Sequence, residues 1–248
     1  MSNLLVLVFL AFASLIFAQD YVMYETHYLT PKPGHEMALM EEIAEHNKLY
    51  HTEAPYFNWV FSVVNGPRTG DLLFAMGPMT FTQNDDRPGG MKHNLDWASV
   101  MSHAKDMGGA EYWKMDEDLT YSPESEDDTE LNLSRVRYFE VADNDLFRKV
   151  QKQIKETIAA TGSKRSRTMY RKQFRHRDGR DWATVSWYEN WAELDDDSMP
   201  GFEETFKKVH GADAWDQFTE DFDAAVVGRE DEWRMLLRDL IAGSDDED

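Results

Sequence analysis

Two ionisable side chains near the start of the chain are spaced so that they could transfer protons together. Glu25 and His27 fall in the stretch Tyr21 to Leu29, whose Tyr, Val and Thr content predicts a β-strand. Residues two apart in a strand point to one face, so we expect these side chains to lie together. Such a pair could act as acid and base or provide two metal ligands, or it could form only a hydrogen bond or lie exposed. We predict Glu25 and His27 as catalytic residues.

Basic residues crowd one predicted hairpin in the second half of the chain. On a strand, Arg167, Arg171 and Arg175 would share one face, and guanidinium groups bind carboxylate or phosphate through paired hydrogen bonds. Trp187, on the partner strand, could line an aromatic pocket or pack in the core. We predict these four residues as ligand-binding. The alternatives are that the arginines are solvated or pair with acidic runs of the protein itself, such as residues 195–197.

Most histidines lie in the first half of the chain, yet their spacing is not that of a known metal motif. They are His27, His35, His46, His51, His93 and His103. His46 and His51 could be ligands, although histidines at the edge of an apolar helix stripe are more often surface residues. Neither H-x-x-x-H nor H-E-x-x-H occurs in the sequence. We therefore predict no metal site, and the sequence specifies no cofactor.

The composition limits the classes of function. With 26 Lys and Arg against 47 Asp and Glu, the net charge of −21 argues against nucleic acid as a partner, because phosphates would be repelled. The chain has no cysteine, which excludes disulfides, thiolate nucleophiles, Cys-ligated zinc and iron–sulfur clusters. Hydrophobic residues make up 42% of the 248 residues, enough for packed cores. A small-molecule ligand is the expected partner, and the sequence does not specify the oligomeric state.

The N-terminus resembles a secretory signal. An apolar run from Leu4 to Phe17 is followed by Ala18, and it predicts a signal peptide over residues 1–18. The run is shorter than the roughly 20 residues that a membrane span needs, which favours a cleaved signal. An uncleaved anchor is the alternative. No other stretch could cross a bilayer. We expect an exported protein, periplasmic or extracellular, with no stable membrane span after signal removal.

A five-residue motif, Gly-Ala-acid-x-Trp, occurs at residues 109–113 and again at 211–215. The order β-α-β-β-α-β surrounds both copies, which predicts two ferredoxin-like repeats, although chance similarity of two amphipathic patterns is the alternative. We align the first strands by matching positions 24–26 with positions 139–141, and we read the motif as a helix kink in both copies. The predicted segments are a signal at 1–18, repeats at 20–121 and 131–242, an acidic linker at 122–130 and an acidic tail at 243–248.

The predicted strands of the first repeat are apolar on both faces. They follow a predicted helix, His35 to His51, and run from Tyr56 to Val64 and from Leu72 to Phe81; a last strand of the chain is predicted over Trp233 to Leu237. A sheet that is apolar on both faces must be covered on both. The sheet of the second repeat is the economical cover, which predicts an α+β fold in which both repeats form an intrachain α+β barrel, a pseudo-dimer.

This arrangement resembles the dimeric α+β barrel superfamily in a tandem form. That group includes antibiotic-biosynthesis-monooxygenase-type domains, NIPSNAP-type proteins and the chlorite dismutase type. The resemblance covers residues 20–242 and rests on element order and burial pattern rather than on a diagnostic motif. Haem-degrading members use an Asn, a Trp and a His; Trp97 and His103 match two of these in type, and the Asn has no counterpart. We therefore carry over no catalytic residue.

The resemblance and the candidate residues together predict an exported barrel protein that binds a small aromatic or anionic ligand. One alternative is a cofactor-independent or haem-using monooxygenase-like enzyme with Glu25 and His27 as acid, base or ligand. Another is a structural or interaction protein whose barrel is filled with side chains.

Overall fold

The computed structural model describes residues 21–123, 131–195 and 200–242. The predicted signal peptide, most of the predicted linker and the acidic tail lie outside the described residues. The described chain divides into two compact units, residues 21–114 with 235–242, and residues 115–234. In the described residues, no helix combines the length and apolar character that a membrane crossing requires.

Unit 1 is an antiparallel sheet with helices. Its elements are β1 (Met23–Pro31), α1 (Glu36–Tyr50), β2 (Asn58–Asn65), β3 (Leu72–Met79), α2 (Phe81–Asp85), α3 (Met91–His103), β4 (Ala104–Met107), β5 (Glu111–Met115) and a 3-10 turn, Arg238–Leu240. Strand β3 lies between β2 and β1. The other edge of β1 pairs with β4 at one end and β5 at the other.

The core of unit 1 follows the apolar periodicity of its sequence. Leu39 and Ile43 on α1 and Val100 on α3 pack against Leu29 of β1 and Phe74 of β3, and all five are buried. Every residue of β3 is buried, so this strand is covered on both faces, as its composition predicts. Burying such side chains stabilises the fold by about 1.5–3 kcal/mol each.

Unit 2 has a similar order of elements. They are β6 (Leu133–Val141), α4 (Asn144–Thr161), β7 (Thr168–Lys172), β8 (Trp182–Tyr188), a 3-10 turn (Trp191–Asp195), α5 (Phe202–His210), α6 (Ala214–Ala225) and β9 (Val226–Leu236), which ends in unit 1. Strand β8 lies between β7 and β6, and β9 adjoins β6. The Asp143 carboxylate caps α4 by accepting hydrogen bonds from the N–H groups of Asp145 and Leu146.

The ladders of the two units have the same register at a single offset. Strands β1 and β6 begin at Met23 and Leu133, and β3 and β8 begin at Leu72 and Trp182, so both strands of the second ladder are displaced equally along the chain. At this displacement the pair Leu29 and Leu72 corresponds to the pair Phe139 and Trp182. These bounds favour a different match of the first strands from the expected one, which aligned Glu25 with Glu140 by residue type. At the observed offset, the counterparts of Glu25 and His27 are Arg135 and Arg137.

The described residues thus form a mixed α+β fold with antiparallel sheet and six helices. This agrees with the fold class expected from the sequence. The tandem repeat itself stays a prediction.

The recurring five-residue motif takes two different structures. Glu111 begins β5, whereas Ala214 begins α6, so the expected helix kink is absent at the first copy. The strand forms at the first copy because Glu111 to Lys114 pair with β1. The two copies of the motif therefore lie in different kinds of element in the two units.

Candidate functional site

Three histidines of unit 1 converge on one point. His46 lies near the end of α1, His51 directly follows that helix, and His93 lies in the first turn of α3. Each offers one ring nitrogen, and these three atoms lie within 4.8 Å of one another. We call these three residues the histidine cluster. Because its members come from two helices that are distant in the chain, no short spacing in the sequence indicates it.

The packing of α1 against α3 builds the cluster. His46 follows Ile43 by three residues and Leu39 by seven, so it continues the apolar stripe of α1 and is 1% exposed. The end of α1 meets the start of α3 here. At the other end of the pair, His35 at the start of α1 bonds His103 at the end of α3, with 3.0 Å between their Nδ1 atoms. The two helices therefore run antiparallel.

Hydrogen bonds orient two of the rings and assign their tautomers. His46 Nδ1 lies 2.5 Å from Asp96 Oδ2 and donates to that carboxylate. His51 Nδ1 donates to the Tyr56 carbonyl oxygen over 2.8 Å. In each ring the Nε2 lone pair is then available to a ligand. Among the described residues, the buried atoms His46 Nε2 and His93 Nδ1 have no hydrogen-bond partner.

Burial favours the neutral form of two imidazoles in the cluster, which is the form that binds a cation. Burial lowers the pKa of His51 to about 4, against a weaker opposing effect of its bond to Tyr56. Burial also lowers the pKa of His46, although its hydrogen bond to Asp96 opposes this shift. Both imidazoles are therefore neutral at pH 7, and the neutral ring is the form that binds a metal ion. A carboxylate behind a ligating histidine is the usual second layer of a metal site.

The spacing of the nitrogen atoms suits a metal after a small contraction. Zn–N bonds of 2.0–2.1 Å in a tetrahedral site place ligand nitrogens about 3.3 Å apart, so the rings must close by about 1.5 Å at most. Aromatic rings surround the cluster: Tyr50 lies 4.9 Å from His93, and Trp97 lies 5.0 Å from His46, between ring centroids. The prediction of no metal site rested on sequence spacing alone, and this geometry makes such a site possible.

The structure brings Glu25 and His27 together, as their spacing in β1 predicts. His27 Nε2 lies 2.8 Å from Glu25 Oε1, and Arg87 Nη1 donates to both oxygens of Glu25 over 2.8 and 2.7 Å. Glu25 is 4% exposed. Burial raises the pKa of its carboxyl, but the His27 hydrogen bond and the Arg87 charge outweigh burial and lower it.

The contacts of this pair show a closed network. The second ring nitrogen of His27 faces the Gly108 carbonyl oxygen at 3.2 Å, so both nitrogens are engaged within the protein. Arg87 and Tyr112 also bond the carboxylate. Proton transfer to a substrate would require one of these partners to leave. The role of Glu25 and His27 as acid and base stays a prediction.

The predicted row of arginines does not extend along one strand. Strand β7 ends at Lys172, so the alternation that would align the three side chains stops before Arg175. Arg167 donates to Gln151 Oε1 over 2.5 Å, Arg171 lies exposed with its guanidinium carbon 5.5 Å from the Trp182 ring, and Arg175 bonds Asp181. Three arginines thus have three different surroundings.

Trp187 lies on the other face of the sheet from Arg171. Arg171 pairs with Trp182, and directly opposed residues point to one face; Trp187 is five residues from Trp182 on the same strand and therefore points to the other face. The expected pocket with Arg167, Arg171, Arg175 and Trp187 around one ligand is therefore not formed.

A different basic group occurs on β6, which we did not predict. Arg137 Nε donates to Asp231 Oδ1 and Arg135 Nη2 donates to Asp231 Oδ2, both over 2.6 Å. The hydrogen bond from Arg137 is the main reason that the pKa of Asp231 falls to about 2. The two-residue spacing of Arg135 and Arg137 was the available signal in the sequence.

Asp231 should contribute to the acid sensitivity of the protein. Its folded pKa, about 2, lies below the unfolded value near 3.9, so its stabilisation is present above about pH 4 and is lost as pH falls toward 2. We expect Asp231→Asn to lower the free energy of unfolding at pH 7 and to flatten its dependence on pH between 4 and 2. Urea unfolding at several pH values measures this, and an unchanged slope in the variant would contradict it.

The partial match to haem-degrading proteins is not a site. Trp97 packs against His46 and Phe74, whereas the His103 ring lies against His35. Trp97, in the middle of α3, thus packs toward the histidine cluster, whereas His103 ends that helix and packs against His35.

Comparison with known proteins places the fold. No family model and no curated protein matches the chain. A proposed monooxygenase from Lactobacillus acidophilus NCFM is similar in structure, with a TM-score of 0.55 and 16% identity over 90% of this chain and 96% of its own. An anthrone oxidase-like protein has a TM-score of 0.55 and 12% identity over 89% and 93%. Chlorite dismutase from Candidatus Nitrospira defluvii, in complex with imidazole, has a TM-score of 0.52 and 10% identity over 90% and 94%.

These likenesses show the fold alone, because all three identities are low. The neighbours belong to the dimeric α+β barrel superfamily, the group that the sequence resembles. The chain thus has a mixed α+β fold that is consistent with the α+β barrel-like fold of that group.

Proposed function

We propose that the protein binds one divalent transition-metal ion through His46, His51 and His93, and that this ion is the working centre of an enzyme for a small molecule. The observation that carries the proposal is the convergence of three imidazole nitrogens within 4.8 Å. Two of these rings are already oriented, by Asp96 and by the Tyr56 carbonyl.

The donor set selects the class of metal. Imidazole ligands suit zinc, copper, iron and nickel, whereas magnesium and calcium prefer carboxylate and carbonyl oxygens. Three neutral ligands leave the charge of the ion uncompensated, and three protein ligands are the number that catalytic zinc sites use. Such an ion would acidify a bound water or polarise a substrate oxygen. The chain itself would hold the rings, and Asp96 would keep His46 in the binding tautomer.

A single ion fits this cluster better than a haem does. A haem takes its protein ligands along the axis of a planar macrocycle, commonly one histidine on one side. Here three rings point at one spot from two helices, and Trp97 and Tyr50 pack beside them.

The surroundings suggest the kind of substrate. Tyr50, Trp97 and Phe74 place aromatic surface around the cluster, and Tyr50 and His93 are only half-buried, so the site lies near the surface. Aromatic walls favour a small aromatic ligand, which agrees with the class expected from the sequence. The similar structures include a proposed monooxygenase and an anthrone oxidase-like protein, which supports an enzymatic role on such compounds.

The proposal is tested with the metal ion as the probe. We expect metal-free protein to bind one Zn²⁺ per chain in a calorimetric titration, and the Co²⁺-loaded protein to show the visible absorption of a four-coordinate site. Azide should change that absorption, because an open coordination position accepts an external ligand. Failure to bind zinc stoichiometrically would refute the metal site. A cobalt absorption that azide leaves unchanged would refute the open position and indicate a structural ion.

Export and the tandem architecture remain part of the proposal. The apolar run from Leu4 to Phe17 supports export, and protein recovered outside the cytoplasm should begin at Gln19. The common register of the two ladders at a single offset supports two ferredoxin-like repeats.

A further inference from the structure

Three arginines of unit 2 gather on one face of its sheet. Arg135 and Arg137 are on β6, and they pair across to Ser186 and Thr184 of the central strand β8. Arg167 directly precedes β7, which pairs with the other edge of β8. Because Thr168 pairs with Val185, Arg167 lies opposite Ser186 and therefore on the same face of the sheet. The small hydroxyl side chains of Ser186 and Thr184 thus lie between basic groups.

The positive charge of this group is only partly neutralised. The single carboxylate of Asp231 forms ion pairs with both Arg135 and Arg137. The side-chain hydrogen bond described for Arg167 goes to a neutral acceptor, Gln151 Oε1. Burial, together with the nearby charge of Arg137, lowers the pKa of Arg167 to about 10, as expected for a cation held without a counter-ion.

Three hydrogen-bond donors in this group lack an acceptor. Within the described part of the chain, the buried atoms Arg135 Nε, Arg167 Nη1 and Gln151 Nε2 have no partner. Unpaired buried donors cost free energy, about 1–3 kcal/mol each and more when charged. Since all three are donors, the partner that would satisfy them is an acceptor, and the surrounding charge favours a negative one.

We propose that this face of unit 2 binds a small oxyanion, a carboxylate or a phosphate group, through Arg167 and the neutral donor Gln151, with Arg135 and Arg137 beside them as further positive charge. Arg135 and Arg137 have about one-third of their side chains exposed, which gives the anion a way in. A guanidinium group offers two parallel donors to such a group. The overall charge of −21 repels anions, so binding here would be specific to the local cluster.

The test uses inorganic phosphate and acetate as probes, in calorimetric titrations of the full chain at constant ionic strength with chloride. We expect saturable binding of at least one probe by the wild type, and binding at least about tenfold weaker in Arg167→Gln, since a charged hydrogen bond contributes about 1.5–3 kcal/mol. Arg171→Gln removes the same charge from an exposed position of β7, and its affinity should stay within about twofold of the wild type.

The pattern of binding identifies the anion. Saturation by phosphate alone assigns a phosphate group, and saturation by acetate alone assigns a carboxylate. No saturable binding of either probe, or equal binding by Arg167→Gln and the wild type, would overturn the proposal. If Arg167→Gln does not fold, Arg167→Lys keeps the charge but loses the paired donors, and it should bind more weakly than the wild type. Zinc binding measured on the same variants should be unchanged, which separates this site from the histidine cluster.

Discussion

His93→Ala should weaken Zn²⁺ binding by more than about 100-fold, because it removes one of three ligands from the histidine cluster. Loss of a group that only orients a ligand already costs about 10–100-fold in metal affinity, and loss of the ligand itself must cost more. His93 is half-buried, so this variant should fold more readily than one that truncates the buried rings of His46 or His51. Competition titration against a chelating dye measures the affinity.

Two further variants separate the roles within the site. Asp96→Asn should weaken zinc binding by about 10–100-fold, because Asp96 orients His46 without touching the ion. His103→Ala removes a histidine from the same helix α3 but from its other end, and it should bind zinc like the wild type. Equal affinity of His93→Ala and His103→Ala would contradict the assignment of His93 as a ligand.

The same series has a second readout in stability. A metal that binds only the folded protein raises the free energy of unfolding by about 2.7 kcal/mol at a concentration 100 times its Kd. Zinc should therefore stabilise the wild type and His103→Ala against urea, and should stabilise His93→Ala by less than about 0.4 kcal/mol at the same concentration.

Trp182→Ala should destabilise the protein by about 3–5 kcal/mol, the usual loss for a large aromatic residue of the core. Trp182 is 1% exposed, and its ring lies 5.2 Å from that of Phe147 on α4. Its Nε1 donates to Asn144 Oδ1 over 3.0 Å, at the first residue of that helix. Truncation therefore opens a cavity between sheet and helix and removes a polar link. Urea unfolding followed by far-ultraviolet circular dichroism measures the loss.

An exposed tryptophan provides the matched control. Trp191→Ala removes a side chain of the same size from a position that is 46% exposed, and it should cost less than about 1 kcal/mol. If both variants lost the same stability, the packing of Trp182 between β8 and α4 would not be the cause.

The regular elements of unit 1 were predictable because their signals are local. The predicted helix from His35 to His51 corresponds to α1, and the predicted strands correspond to β2 and β3 within two residues at each end. Prolines and glycines between them mark the breaks. Strand β9 was predicted only in its last part, because residues 229–232 are charged and strands are usually depleted in such residues. Ion pairs of Asp231 and Glu232 with arginines compensate.

Contacts within one element were predictable, whereas those between elements were not. The meeting of Glu25 and His27 follows from the two-residue period of a strand. The histidine cluster depends on the packing of α1 against α3, which no spacing in the sequence encodes. Its only signal was the position of His46 on the stripe of Ile43 and Leu39. The predicted row of arginines did not form because it assumed a longer strand, whereas the strand that would align the side chains ends at Lys172.

The common register of the two ladders has a consequence for sequence change over evolution. The same place in the two ladders holds an acid in one unit and an arginine in the other: Glu25 is bonded by Arg87, and Arg135 bonds Asp231. A change of sign at either strand position would leave two like charges in contact unless the partner changed too. Positions 25 and 87 should therefore covary among relatives of this chain, and so should positions 135 and 231, with position 137 constrained together with them because Arg137 bonds the same carboxylate.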